Sequence, residues 1–155
     1  MGLLLSLGSM KYASMLKPRA THLLLVDDNQ NGLLARKSLL EEQGFVITTA
    51  TNGEEAFDVF SKGKFDLLIT DFRMPKMNGI ELAHIIKKRD PAQLIIMVTG
   101  FAFTIAAYDM RPVPADFILR KPFDVKQLSD ALTSLFSTGK TPAPDAGIRI
   151  SPSAN

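Results

Sequence analysis

Hydrophobic and polar positions along this chain alternate between two rhythms. The run His22-Leu23-Leu24-Leu25-Val26 is continuously apolar after its first residue and stops at Asp27-Asp28-Asn29, the pattern of a buried strand ending in a polar turn. Leu33, Leu34, Ser38, Leu39 and Leu40 then recur at helical spacing, and Gly44 supplies a C-terminal stop. Phe45-Val46-Ile47-Thr48-Thr49 reads as a second strand. Asn52 is placed to cap a helix with Glu54 and Glu55 in its first turn and Ala56, Phe57, Val59 and Phe60 on its apolar face, closed by Gly63. A third strand, Phe65-Asp66-Leu67-Leu68-Ile69-Thr70-Asp71, runs into the breaks at Met74-Pro75 and Asn78-Gly79. Ile80, Ala83, Ile85 and Ile86 mark the next helix, which ends at Asp90-Pro91. Leu94-Ile95-Ile96-Met97-Val98 is the fourth strand, ending on Thr99-Gly100, and Phe117-Ile118-Leu119-Arg120 is the fifth, ending on Lys121-Pro122. Between them, residues 104–110 have room for two helical turns before Pro112 and Pro114 break the pattern. Asp124 caps a last helix carrying Val125, Leu128, Leu132, Leu135 and Phe136.

Strands that are apolar throughout need cover on both faces, and their alternation with helices supplies it. The fold class is therefore α/β, a parallel sheet between two helical layers. Five such units fit the flavodoxin-like doubly wound order 2-1-3-4-5 in a single domain. Length agrees, since 155 residues suffice for one core and are few for two. Residues 1–20 are expected as a flexible leader and 21–137 as the domain. Residues 138–155, rich in Pro, Ser, Gly and Ala, are expected as a disordered tail with no output domain after it.

Charge and the rarer residues narrow the chemistry. The net charge of +2 comes from the ends, because Lys11, Lys17, Arg19, Lys140 and Arg149 lie outside positions 21 to 136, where 13 basic residues face 15 acidic ones. A mildly acidic domain without a basic stripe argues against nucleic-acid binding. The absence of Cys excludes disulfides, thiolate metal sites and Cys nucleophiles, and His22 and His84 are too far apart for a His-based metal site. His84 falls among apolar helix positions and reads as structural. Met1-Gly2-Leu3-Leu4-Leu5-Ser6 fits a myristoylation pattern, but the pattern is short, and Met10 and Met15 are alternative starts. The apolar stretch 3–7 is short for a signal sequence, and no run reaches membrane-spanning length, so a cytoplasmic chain that does not engage a membrane is expected.

The candidate chemistry sits at strand ends. Asp27-Asp28, Asp71, Thr99 and Lys121 each follow a strand, and in a doubly wound sheet those C-terminal ends share one rim. Asp27-Asp28 alone would more often be a turn and helix cap, and Thr99 or Lys121 alone a surface residue. Their convergence with Asp71 reverses that reading. Three carboxylates together repel unless a cation sits among them, and oxygen ligands without His or Cys select Mg²⁺. Lys121 and Thr99 add the positive charge and hydroxyl donor that a phosphoryl group requires, with an Asp carboxylate as nucleophile. Gly139-Lys140-Thr141 only echoes a phosphate loop, because Ser134 stands where the first Gly is required.

Val26-Asp27-Asp28, Asp71 with Met74-Pro75 and Asn78-Gly79, Thr99-Gly100 and Lys121-Pro122-Phe123, in this order, resemble the receiver domain of two-component response regulators over about residues 21–137. The resemblance implies that Asp71 accepts a phosphoryl group from a histidine kinase or phosphotransfer protein. It implies that Asp27 and Asp28 hold Mg²⁺, helped by Asp71 and the backbone carbonyl of Arg73. Thr99 is then the switch hydroxyl, and Lys121 pairs with the phosphoryl group through a loop whose Lys121–Pro122 bond is cis. The implied protein is a stand-alone signalling module and not an enzyme. It would act through contacts with a downstream protein, with homodimerisation as a further option.

Three departures from the family pattern bear on switching. The position three before Lys121, usually aromatic, is Ile118, and the aromatic stands one residue earlier at Phe117, on the other side of the strand. Arg111-Pro112-Val113-Pro114 breaks the helix expected over 104–110. Arg73 and Phe101, two residues beyond Asp71 and Thr99, would shield an aspartyl phosphate from water and prolong its life. The first two departures support an alternative, a non-switching pseudo-receiver that serves as a protein-interaction module. An oxidoreductase or Asp-nucleophile phosphatase is disfavoured, because no Gly-x-Gly-x-x-Gly follows the first strand and Arg73 stands where such a phosphatase needs its second Asp.

Overall fold

The computed structural model describes residues 20–100 and 113–137. The leader up to residue 19, the expected turns over 104–110, Phe101 and the tail from 138 lie outside the described residues.

Strand and helix alternate as β1 (His22–Val26), α1 (Gln30–Glu42), β2 (Val46–Ala50), α2 (Gly53–Lys62), β3 (Leu67–Asp71), α3 (Gly79–Arg89), β4 (Leu94–Thr99), β5 (Phe117–Arg120) and α4 (Val125–Ser137). The sheet has the order β2-β1-β3-β4-β5, and every neighbouring pair is parallel. Side chains alternate across the pleat, so consecutive residues of each strand enter different cores. Leu23 and Leu25 of β1, Leu67 and Ile69 of β3, and Ile96 and Val98 of β4 pack with Leu33, Leu40, Leu128 and Leu132 under α1 and α4. Leu24, Val26, Leu68, Ile95 and Met97 pack on the opposite face with Ala56, Phe60, Ile80 and Leu82 under α2 and α3. Burying each such Leu or Ile contributes about 1.5–3 kcal/mol, which is why the three central strands carry no Asp, Glu, Lys or Arg before their ends. Phe117 packs with the first core and Ile118 with the second, so the aromatic does lie on the other side of β5.

Helix starts follow local chemistry. The Asn29, Asn52 and Asn78 side chains accept from the backbone N–H groups of Gly32, Glu55 and Glu81, so each helix on a strand-end rim begins with its orphan donors partly satisfied. Asn78 and Glu81 complete a capping box. The last helix has the Asp124 carboxylate accepting from the Gln127 N–H at 2.8 Å. β2 begins one residue later than the apolar pattern predicts, because the Phe45 N–H is taken by the Leu40 carbonyl at 3.2 Å in the turn that ends α1. That turn needs Gly44 at a φ of 94°, in the left-handed region. The apolar stripe of α1 is narrower than its spacing predicts: Leu33 and Leu40 are buried, whereas Leu34 is 60% and Leu39 41% exposed.

Candidate functional site

Parallel strands put their C-terminal ends on one rim, and that rim collects the polar strand ends. Asp27, directly after β1, is only 1% exposed. Its N–H donates to the Ala50 carbonyl at 3.2 Å, and its carboxylate accepts from the Asn29 N–H at 2.9 Å, so the turn that starts α1 also fixes the acid. Asp28 is exposed beside it. Asp71, the last residue of β3, is buried. One carboxylate oxygen from each of Asp27, Asp28 and Asp71 lies within 4.8 Å of the others. Charges so close repel unless cations are placed against them.

Two of the described cations, Lys121 and Arg36, reach these acids. Lys121 Nζ lies 3.0 Å from Asp71 Oδ2, and Arg36 Nη2 pairs with Asp27 Oδ2. Lys121 is placed by the sheet, since its N–H donates to the Thr99 carbonyl at 2.8 Å. The Lys121–Pro122 peptide bond is cis. Thr99 ends β4 and is buried. The register sets Asp71 beside Val98, one residue before Thr99. Arg73 is exposed in the segment after β3. The structure thus brings Asp27, Asp28, Asp71 and Lys121 into one cluster, sets Thr99 on the adjoining strand end, and leaves the Arg73 side chain facing outward.

The backbone behind Asp71 is tightly held. The Phe72 N–H donates to the Val98 carbonyl and the Gly79 N–H to the Phe72 carbonyl, both at 2.8 Å, while the Thr70 hydroxyl donates to the Asp71 carbonyl at 3.0 Å. Gly79 opens α3 so close beneath the strand end that a Cβ there would lie 2.3 Å from the Asp71 carbonyl oxygen. The Asp71 carboxylate therefore stands on a rigid platform and not on a loop.

Arg36 is the site residue that the sequence reading missed. It sits between the buried Leu33 and Leu40 at spacings of three and four, on the inward face of α1. A cation on that stripe was the available signal. Burial pulls the Arg36 guanidinium below its usual range, and the negative charge of Asp71 pulls it back. Arginine stays charged through such changes.

The comparisons agree with this geometry. The family model for the response regulator receiver domain matches residues 23–133. The chain is 36% identical to the response regulator receiver protein CpdR of Brucella abortus, over 73% of this chain and 93% of that one. It is 33% identical to the probable transcriptional regulator ycf27 of Cyanidium caldarium, over 76% of this chain but only 47% of that protein, so it spans about half the length of that relative. Among solved structures it resembles the response regulator protein TrrA of Thermotoga maritima in complex with Mg(2+)-BeF, with a TM-score of 0.68, 35% identity and coverage of 74% of this chain and 98% of that one. A five-stranded parallel sheet with an acid cluster at its rim defines a receiver-type signalling module. The chain belongs to the response regulator receiver domain family.

Proposed function

We propose that this chain accepts a phosphoryl group on Asp71 from a histidine kinase or phosphotransfer protein, in a Mg²⁺-dependent reaction, and signals through protein contacts. The observation that carries the reading is the cluster of Asp27, Asp28 and Asp71 within 4.8 Å, with Lys121 Nζ 3.0 Å from the Asp71 carboxylate. The donor set fits a hard divalent ion, being all carboxylate oxygen with neither imidazole nor thiolate. Asp27, Asp28, Asp71 and the Arg73 carbonyl are the groups that would hold it. Bound there, Mg²⁺ supplies neutralisation of charge on the transferring phosphoryl group. The Mg(2+)-BeF complex of TrrA supports the same assignment.

The chain's own residues do the rest. An Asp71 carboxylate oxygen forms the new bond to phosphorus as the bond to the donor imidazole nitrogen breaks, and the electron pair leaves with the imidazole. Lys121 donates to one phosphoryl oxygen and the Thr99 hydroxyl to another. In this reading residues 21–137 are the receiver unit, 1–20 a leader and 138–155 a tail. A cytoplasmic location belongs to the same proposal. No helix among the described residues is long and apolar enough to cross a membrane.

A second reading, a pseudo-receiver that binds a partner without switching, is favoured by one observation: Ile118, not an aromatic, packs against the core under α3. Intact mass after incubation with acetyl phosphate, with and without Mg²⁺, separates the two. One phosphoryl adduct that needs both Mg²⁺ and Asp71, and is lost in Asp71→Asn, is expected. No adduct together with no Mg²⁺ binding would contradict the acceptor reading and leave the interaction module.

A further inference from the structure

Arg36 has no place in the reaction described above, yet it is built into the acid site. Its side chain is 17% exposed, with Nε donating to the Gly32 carbonyl at 3.2 Å and Nη2 to Asp27 Oδ2. The guanidinium carbon also lies 5.9 Å from the centroid of the Phe123 ring, two residues beyond Lys121. Both carboxylate oxygens of Asp27 are therefore engaged, Oδ1 by the Asn29 N–H and Oδ2 by Arg36. The charge of the nearby Asp71 also acts on the Arg36 guanidinium. The chain thus carries its own permanent cation on the buried acid of a site whose carboxylates are spaced for a divalent one.

We propose that Arg36 is a resident counter-cation that competes with the divalent ion for Asp27, so that Mg²⁺ binding requires Arg36 to release the Asp27 carboxylate. The proposal rests on the reading that Asp27, Asp28 and Asp71 hold Mg²⁺. A guanidinium and a dication on the same carboxylate repel across a partly dry site, so the two occupy Asp27 in turn and not together. The fold leaves space for the exchange. Arg36 lines a groove of about 500 Å³ between α1 and the Lys121–Asp124 segment, with Ala35, Leu39 and Phe123 among its walls. The released guanidinium has the Phe123 ring to rest on, and its aliphatic stem has an apolar wall. The consequence is a receiver that loads Mg²⁺ only at higher concentration than the acid set alone requires.

The test is a calorimetric titration of Mg²⁺ alone into the full metal-free chain, in wild type and Arg36→Met, which keeps the stem and removes the charge. The variant is expected to bind Mg²⁺ at least about tenfold more tightly, the reverse of what loss of a merely structural contact does. Because Arg36→Met leaves a buried carboxylate without its partner, at a cost to folding, the wild type supplies a second measurement. The NMR signal of the Arg36 Nε–H is expected to shift, and its exchange with water to quicken, as Mg²⁺ saturates the site. Equal or weaker Mg²⁺ binding by a folded Arg36→Met, or an Arg36 signal unmoved at saturation, overturns the proposal and leaves the acid site intact. No Mg²⁺ binding by either chain overturns both the proposal and the metal reading beneath it.

Discussion

Gly79→Ala perturbs the Asp71 site from behind, without touching a charged group. The added Cβ would lie 2.3 Å from the Asp71 carbonyl oxygen and 2.8 Å from Met97 Sδ. Met97 is wholly buried and the carbonyl is backbone pinned by the Thr70 hydroxyl, so neither neighbour gives way easily. An ordinary carbon–oxygen contact is about 3.3 Å or longer, so the first turn of α3 or the end of β3 must move by about 1 Å. Overpacking of this kind costs about 1–3 kcal/mol, and weakening the Gly79 N–H bond to the Phe72 carbonyl adds about 1 kcal/mol. Better helix propensity returns only about 0.5–1 kcal/mol. The net loss is about 1–3.5 kcal/mol, which lowers the urea midpoint by about 0.5–2 M at a slope of about 2 kcal/mol/M. Far-UV circular dichroism during urea unfolding measures it, with Gly100→Ala as control, because a Cβ at Gly100 meets nothing within 4 Å among the described residues. Displacing Asp71 by about 1 Å is also expected to slow its phosphorylation by about 100-fold in the folded protein. An unchanged urea midpoint with an unchanged phosphorylation rate would refute the packing reasoning.

Other substitutions separate chemistry from stability. Lys121→Ala removes a side chain that is 36% exposed. It should therefore shift stability by less than about 1 kcal/mol while cutting the phosphorylation rate by about 100-fold, and a large fall in urea midpoint would show that its role is structural. Asp116 accepts from the Ile95 N–H and from Lys87 Nζ, both at 2.8 Å, so Asp116→Ala strands a buried backbone donor. It should cost about 2–3 kcal/mol by urea unfolding, and a cost below about 0.5 kcal/mol would contradict the assignment. The Thr51 N–H and hydroxyl bonds hold the Glu55 carboxyl below its usual range. Its stabilising effect is therefore present above the ordinary glutamate range and is lost as pH falls through the lowered value. Glu55→Gln should reduce stability near neutral pH and flatten its acid dependence, whereas parallel pH profiles for the two proteins would contradict this.

Much of the fold was legible because its main elements are written in strong local signals. The continuously apolar β1, β3 and β4 admit only a sheet covered on both faces, and Asn52 and Gly63 mark both ends of α2 by backbone chemistry. Asp27, Asp28, Asp71 and Lys121 could be assembled from their places in the chain, since parallel strands bring their C-terminal ends to one rim. What escaped depends on three-dimensional detail. The start of β2 moved because the Phe45 N–H closes the turn after α1 on the Leu40 carbonyl, a choice of backbone partner that the apolar pattern does not encode. Leu34 and Leu39 share the helical spacing of the buried Leu33 and Leu40 but lie toward solvent, because only a narrow stripe of α1 meets the sheet. Arg36 sat in plain view on that stripe, and its length, which lets it reach Asp27 nine residues earlier, was the unread signal.

The central claim is that a single carboxylate, Asp71, accepts the phosphoryl group while its neighbours only assist. The most direct measurement is to phosphorylate the chain with acetyl phosphate and Mg²⁺, reduce the acyl phosphate with borohydride, and map the reduced residue by peptide mass spectrometry. Reduction at Asp71 alone is expected. Reduction at Asp27 or Asp28 in place of Asp71 would contradict the assignment.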